Sequence, residues 1–399
     1  MGVQSKLVWN PYSPGYFENP YNHLKDCREQ NPIQEIFNNS WIILNYKDVN
    51  EILSSKDFSV SELSQFFKEK EPYIFKNSNT CPYLSKGTKM WPMYLNDQIH
   101  KDTRAIMGKS LNLKNLDTVL SKSVQSINKQ YQSKQDFDLV NYCAEFIFMV
   151  VKQILGIKSS GEFEKIKTYS SMLAKSQDLY IPKQVYLEIN DWLLWGKDIF
   201  SDSEFKTKLG LHSNEAELTY SEEDLYSITS LTLMAAFETS KDNLSMALYE
   251  IMQKPALIDY ILSCNQDELN VLIEELFRFT SPLQYTIRIN KNPFEIADKN
   301  IPANSKLYLC LASANRDDTI FTNPDELVFD RTPNNHMSFG KGVHFCLGAS
   351  IARQELRYCL KPMTEFLKNY TLNTSQSVKW SRQIFMRTVE SIPVESKNS

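Results

Sequence analysis

Seven cysteines are scattered through this chain, and one stands apart: Cys346, in the stretch HMSFGKGVHFCLGASIAR at 336–353. Three of the chain's 11 glycines, Gly340, Gly342 and Gly348, crowd around it. A good helix pattern, LGASIARQELRYCLKPM, follows directly. The sulfur is therefore expected at a helix N-terminus, where backbone N–H groups and the helix dipole favour a thiolate. A thiolate is either a nucleophile or a metal ligand. Glycines at these positions let a large flat object lie against the loop, where side chains would collide with it. Phe339 would shield the sulfur. No second Cys or His stands at ligand spacing, so a tetrahedral metal site is not completed locally, whereas a macrocycle bringing four ligands of its own would complete one. Cys27, Cys81, Cys143, Cys264, Cys310 and Cys359 are far apart and form no CxxC pair. They read as reduced thiols without chemistry.

Three further constellations carry polar groups with chemical potential. Glu238 and Thr239 follow the small pair Ala235 and Ala236 in the apolar middle of a helix pattern; a carboxylate there is paired, hydrated or used. Spacing alone equally allows Glu238 to face a solvated groove and Thr239 to bond back to the preceding turn. Glu275 and Arg278, in LNVLIEELFRFTSP, stand at i and i+3 and can pair on one helix face, as many surface residues do. His100 and Arg104, in LNDQIHKDTRAIM, stand at i and i+4 and present two donors that suit an anion or an exposed face.

These groups need elements to hold them. Ser221 with Asp224 forms a capping box, and the helical pattern it starts runs about 32 residues to Pro255, or roughly 48 Å, long enough to cross a whole domain. Helical patterns dominate from about 97 to 280. PIQEIFNNSWIILNY reads as two short strands joined at Asn-Asn, FSV as a third, and 285–311 as more strands. The expectation is a mainly α chain with a small sheet toward each end, and a helix after Cys346. The 399 residues are 42% hydrophobic and 12% aromatic, with no Gly/Ser linker, repeat or low-complexity tract, so one unit over 1–399 is expected. A formal charge of −4 with dispersed lysines argues against nucleic-acid binding. The absence of a long apolar window predicts a soluble, cytoplasmic protein without a membrane span.

The loop FGKGVHFCLG resembles the heme-binding loop of the cytochromes P450, the heme-thiolate monooxygenases: Phe, Gly, any, Gly, any, His or Arg, any, Cys, any, Gly. EELFR is similar to the family's Glu-x-x-Arg helix, SANRDDTIFTNPDELVFDR to the run before the heme loop, and MAAFETS to its oxygen-activating helix. The resemblance implies the single triangular P450 fold, with heme b between the long oxygen-binding helix and the helix after the cysteine. It implies Cys346 as axial thiolate ligand, with Phe339, Gly340, Gly348 and Ala235 also against the heme. It implies His100, Arg104, Arg288 and His336 as donors to the propionates, and Glu238 and Thr239 as the pair that supplies protons for dioxygen cleavage. Glu275, Arg278 and Arg331 would be structural. Ala236 departs from the family's usual glycine, which alters the width of the oxygen pocket.

The resemblance further implies hydroxylation or epoxidation of a mostly apolar small molecule, closest in pattern to members that tailor polyketides, antibiotics and other secondary metabolites. Trp91, Met93, Met234, Leu283, Gln284 and Phe385 would line its pocket. No flavin, nicotinamide or iron–sulfur fingerprint is present, so a separate ferredoxin and ferredoxin reductase are expected, with Lys341 a candidate docking residue on a monomer. A carrier-protein-bound substrate, phenol coupling, and a heme-thiolate sensor without turnover remain as alternatives. The retained acid and alcohol weigh against the sensor.

Overall fold

The computed structural model describes residues 7–77, 82–111, 115–157, 162–201, 203–214 and 219–397; Cys81 lies outside them. The chain is mainly helical with small sheets. The site is positioned by strands β1 (Ile33–Phe37), β2 (Ser40–Ile43), β3 (Phe58–Ser59), β4 (Tyr285–Asn290) and β5 (Lys306–Cys310), and by helices α1 (Asp97–Ser110), α2 (Leu139–Leu155), α3 (Phe163–Lys175), α4 (Glu222–Met252), α5 (Gln266–Thr280) and α6 (Ala349–Leu367).

Within 285–311, Phe294–Ile296 and Lys299–Ile301 pair with each other as a two-stranded sheet, but β4 and β5 do not stand apart from the early strands. They join in one sheet of order β1-β2-β5-β4-β3, in which β2 and β5 run parallel, Trp41 beside Leu307. The Asn-Asn turn is made by Asn39 at φ 55°, a left-handed conformation that asparagine tolerates. A short strand, Asp136–Asp138, interrupts the stretch expected to be helical; it pairs with Pro393–Ser396, a partner more than 250 residues away that no local pattern announces.

Helix α4 forms as its cap dictates. Ser221 Oγ accepts from the Asp224 amide and Asp224 accepts from the Ser221 amide at 2.9 Å, satisfying N-terminal donors that would otherwise be orphaned. The helix runs 31 residues, packs against α2 and α3, and is buried along most of its length. Two of its core hydroxyls are satisfied by bonding back one turn, Thr229 to the Leu225 carbonyl and Thr232 to that of Ile228, each at 2.8 Å. Buried apolar side chains form one large cluster reaching from Trp9 to Val394 and a second around Ile43, Leu307 and Leu309 on the sheet. Among the described residues no helix is long and apolar enough to cross a membrane.

Candidate active site

The cysteine loop is shaped by its backbone. Gly340 and Gly342 have φ of 66° and 67°, and a Cβ on Gly342 would meet the Leu53 carbonyl oxygen at 2.5 Å. Glycine is therefore required here by the left-handed turn and by the chain packed behind it, a different reason from the expected clearance for a flat ligand. The Cys346 amide donates to the Phe339 carbonyl at 2.9 Å, which folds the loop back on itself. Gly348 caps α6, so the sulfur sits just before the helix, as expected. Among the described cysteines Cys346 alone is exposed; the others are buried and free. Burial of the sulfur site raises its thiol pKa, while the amides of Gly348 and Ala349 and the charges of Arg104 and Arg353 pull it down. The helix terminus alone does not make a thiolate; a positive partner such as a metal ion would.

Around the sulfur stands a cluster of donors. His100 and His344 lie with ring centroids 4.2 Å apart. Burial first, then Arg104 and Arg288, pushes His100 down to about 4; burial first, then Arg288, His100 and Arg104, pushes His344 down to about 3. His100 Nε2 and His344 Nδ1 are buried without a hydrogen-bond partner. Arg104 donates to the Phe345 carbonyl at 2.7 Å. Arg288 is buried, bonds only to neighbouring backbone and Thr286, and is drawn down to about 10 by burial. No carboxylate pairs with any of the four among the described residues.

His336 does not belong to this cluster. Its Nε2 lies 3.1 Å from Glu274 Oε2, and Glu274 also takes two bonds from Arg353 at 2.7 Å. The histidine that lies with His100, Arg104 and Arg288 is His344. The sequence carried its signal, a histidine two places before the cysteine, inside the very loop pattern used to find Cys346.

On the long helix, α4 turns Ala235, Ala236 and Thr239 away from the core: Ala235 is exposed and the other two are half-buried, between buried neighbours. Thr239 Oγ1 donates to the Ala235 carbonyl at 2.6 Å. Glu238 is buried and bonds Lys241 Nζ at 2.7 Å, so the solvated groove is not its environment. Ser240 Oγ donates to Glu355 Oε2 at 2.6 Å and ties α4 to α6; burial raises Glu355 to about 7 against that bond.

The expected pocket residues divide. Met93 and Leu283 are half-buried. Trp91 is fully buried, with Nε1 3.3 Å from Ser230 Oγ. Gln284 donates to the Ser281 carbonyl at 2.7 Å. Met234 meets Gln177 at 3.8 Å, and Phe385 packs edge-on to Tyr285. Trp91 and Gln284 are thus occupied in internal packing rather than free to meet a ligand. Lys341 Nζ donates to Asn50 Oδ1, so it is not a loose surface charge.

Behind the loop, Glu275 accepts from Arg278 at 2.7 and 2.8 Å, from Arg331 at 2.9 Å, and from Asn334 at 3.0 Å. Arg278 also donates to the carbonyls of Asn315, Pro324 and Glu326. Both Glu275 and Arg278 are fully buried, and every strong donor finds a partner, which is the condition for such a network to hold.

The Cytochrome P450 family model matches residues 268–394. The chain is 24% identical to the polyketide biosynthesis cytochrome P450 PksS of Bacillus subtilis (strain 168), over 98% of each protein. It is 27% identical to another cytochrome P450 of that organism, over 96% of this chain and 95% of the relative. The chain thus matches the cytochrome P450 family model through residues 268–394 and, along nearly its whole length, relatives that are themselves cytochromes P450. It is a monooxygenase, and its cofactor is heme held by a cysteine thiolate. Its fold matches the crystal structure of P450BioI in complex with hexadec-9Z-enoic acid ligated acyl carrier protein, at TM-score 0.83 and 22% identity, over 96% of this cytochrome and 100% of that chain. The residues fit the cofactor: an exposed thiol needing a positive partner, ringed by two arginines needing a negative one and two histidines that each keep a buried ring nitrogen unbonded. No group of three metal-ligating side chains lies anywhere among the described residues.

Proposed function

We propose that this cytochrome inserts one oxygen atom from dioxygen into a mostly apolar small molecule, a polyketide or other secondary metabolite, by hydroxylation or epoxidation. The observation that carries the reading is the cluster of His100, Arg104, Arg288 and His344 around exposed Cys346, with no carboxylate partner among the described residues. When bound, heme supplies the redox chemistry that activates dioxygen. Cys346 would hold its iron through the thiolate. His100, Arg104, Arg288 and His344 hold the propionates by charge-assisted bonds, and Phe339, packed against Phe277 at 4.7 Å, keeps water from the sulfur. Thr239, whose hydroxyl now donates to the Ala235 carbonyl, would hold a proton at that hydroxyl, and Glu238 would pass it protons taken from water. Electrons come from a separate ferredoxin and its reductase. The likeness to a cytochrome of polyketide biosynthesis supports the substrate class.

A second reading, in which the substrate arrives on a carrier protein, is favoured by the likeness to P450BioI, solved with a loaded acyl carrier protein. Optical titration of the ferric protein with free polyketides, terpenes and fatty acids, and with their carrier-bound forms, separates the two. A low- to high-spin Soret shift with a free compound supports the first reading, and a shift only with carrier-bound forms supports the second. No Soret band in protein reconstituted with heme would sink both.

A further inference from the structure

Glu238 has more around it than an alcohol. Lys241, one turn along α4, places Nζ 2.7 Å from Glu238 Oε2 and 3.3 Å from Asp242 Oδ1. The three side chains are 2%, 6% and 0% exposed for Glu238, Lys241 and Asp242, so two carboxylates share one ammonium inside the core. Asp242 is held from the other side: its Oδ2 accepts from Thr388 Oγ1 at 2.8 Å, on the C-terminal segment. Glu238 Oε1 has no partner, and Asp242 Oδ1 has no hydrogen bond, only the ammonium at ion-pair distance. The charges acting on Asp242 are Lys241 and Glu238, and Thr388 supplies the facing hydroxyl.

A carboxylate that moves protons to Thr239 has to turn toward it and leave its cation. Breaking a buried pair is normally costly because it strands a charge. Here the ammonium is not stranded, because a second anchored carboxylate already lies beside it. We propose that Lys241 is a two-position clamp, handed from Glu238 to Asp242 when Glu238 turns toward Thr239, which makes Lys241, Asp242 and Thr388 positioning residues for proton delivery. The proposal rests on the reading of Glu238 as the proton carrier. No proton moves in the hand-off: the ammonium keeps its three, and the proton that Glu238 delivers is replaced from water.

Interchangeable partners leave a mark on stability that turnover does not share. In heme-loaded protein, Glu238→Gln and Asp242→Asn should each melt within about 2 °C of wild type, because Lys241 keeps one carboxylate. The double variant, which strands the ammonium, should melt more than about 5 °C lower, well beyond additivity. Equal additive losses would overturn the clamp. In turnover, Asp242→Asn should lower product formed per electron pair roughly tenfold, one power of ten in rate, with an unchanged optical substrate affinity. Asp242→Glu should restore part of it. Should Asp242→Asn fail to fold, Thr388→Val, which removes only the anchor, should act in the same direction. If Glu238→Gln loses coupling while Asp242→Asn and Thr388→Val keep it, the clamp is wrong and the proton carrier stands. If Glu238→Gln itself keeps full coupling, the carrier is wrong.

Discussion

Arg288 shows how one residue can be a liability in one state and necessary in another. Its guanidinium is buried among histidines and backbone with no carboxylate beside it, an arrangement that disfavours the charge until an anion joins it. Arg288→Met is therefore expected to raise the melting temperature of heme-free protein and to lower heme affinity at least tenfold; calorimetry of the heme-free form and transfer of heme to an acceptor protein check the two signs. The two candidate histidines separate just as sharply. His344→Ala should weaken heme retention, because it removes a donor beside His100. His336→Ala should leave retention nearly unchanged and instead cost about 1 kcal/mol of stability, since it only loosens the bond to Glu274. Equal retention in both variants would return His336 to the propionate set.

At the scale of elements, two buried acids tie helices together by different means. Glu275 joins α5 to the segment carrying Arg331 through a fully partnered network. Glu275→Ala strands two buried arginines and is expected to cost about 3–5 kcal/mol, read as a fall in denaturant midpoint and as heme loss on purification. Glu355 joins α6 to α4 through Ser240 alone. Its folded-state pKa, raised to about 7 by burial, lies above the unfolded value, so its contribution is fully present below about pH 4.3 and is lost as pH rises through 7. Glu355→Gln keeps an acceptor for Ser240 and removes that loss. The variant should melt with wild type at acid pH and above it in mild alkali, and parallel curves at all pH would refute the assignment.

At the scale of the whole molecule, distant segments meet beside α4. Asp178, in the turn that follows α3, accepts from the amides of Ile384 and Phe385 at 3.0 and 3.1 Å and so pins that turn to the C-terminal segment. Its neighbour Gln177 bonds Tyr94 at 3.0 Å and lies 3.8 Å from Met234 Sδ. Asp178→Ala leaves those two amides unpaired, each worth roughly 1–3 kcal/mol when buried. Hydrogen exchange should then speed up in both segments together, and substrate should bind and leave faster with little change in the Soret end point. Protection lost in one segment alone would show that they are not coupled.

What the sequence determined by itself was local. The spacing FGKGVHFCLG, the capping box at Ser221 and Asp224, and the pairing of Glu275 with Arg278 each involve residues within about ten positions of one another, where turn geometry and helix periodicity act directly. Hence the cysteine loop, the long helix and the mainly helical class were readable, and the family with them. Tertiary structure decided the rest. It chose His344 over His336, because a ring's neighbours come from α1 and β4 rather than from its own loop. It merged two expected sheets into one by pairing β2 with β5, more than 250 residues apart. It turned Trp91 and Gln284 into packing, and set Lys241 between two carboxylates, one of them anchored by Thr388. Long-range contacts are selected by shape and burial across the whole chain, and no short window of residues encodes them.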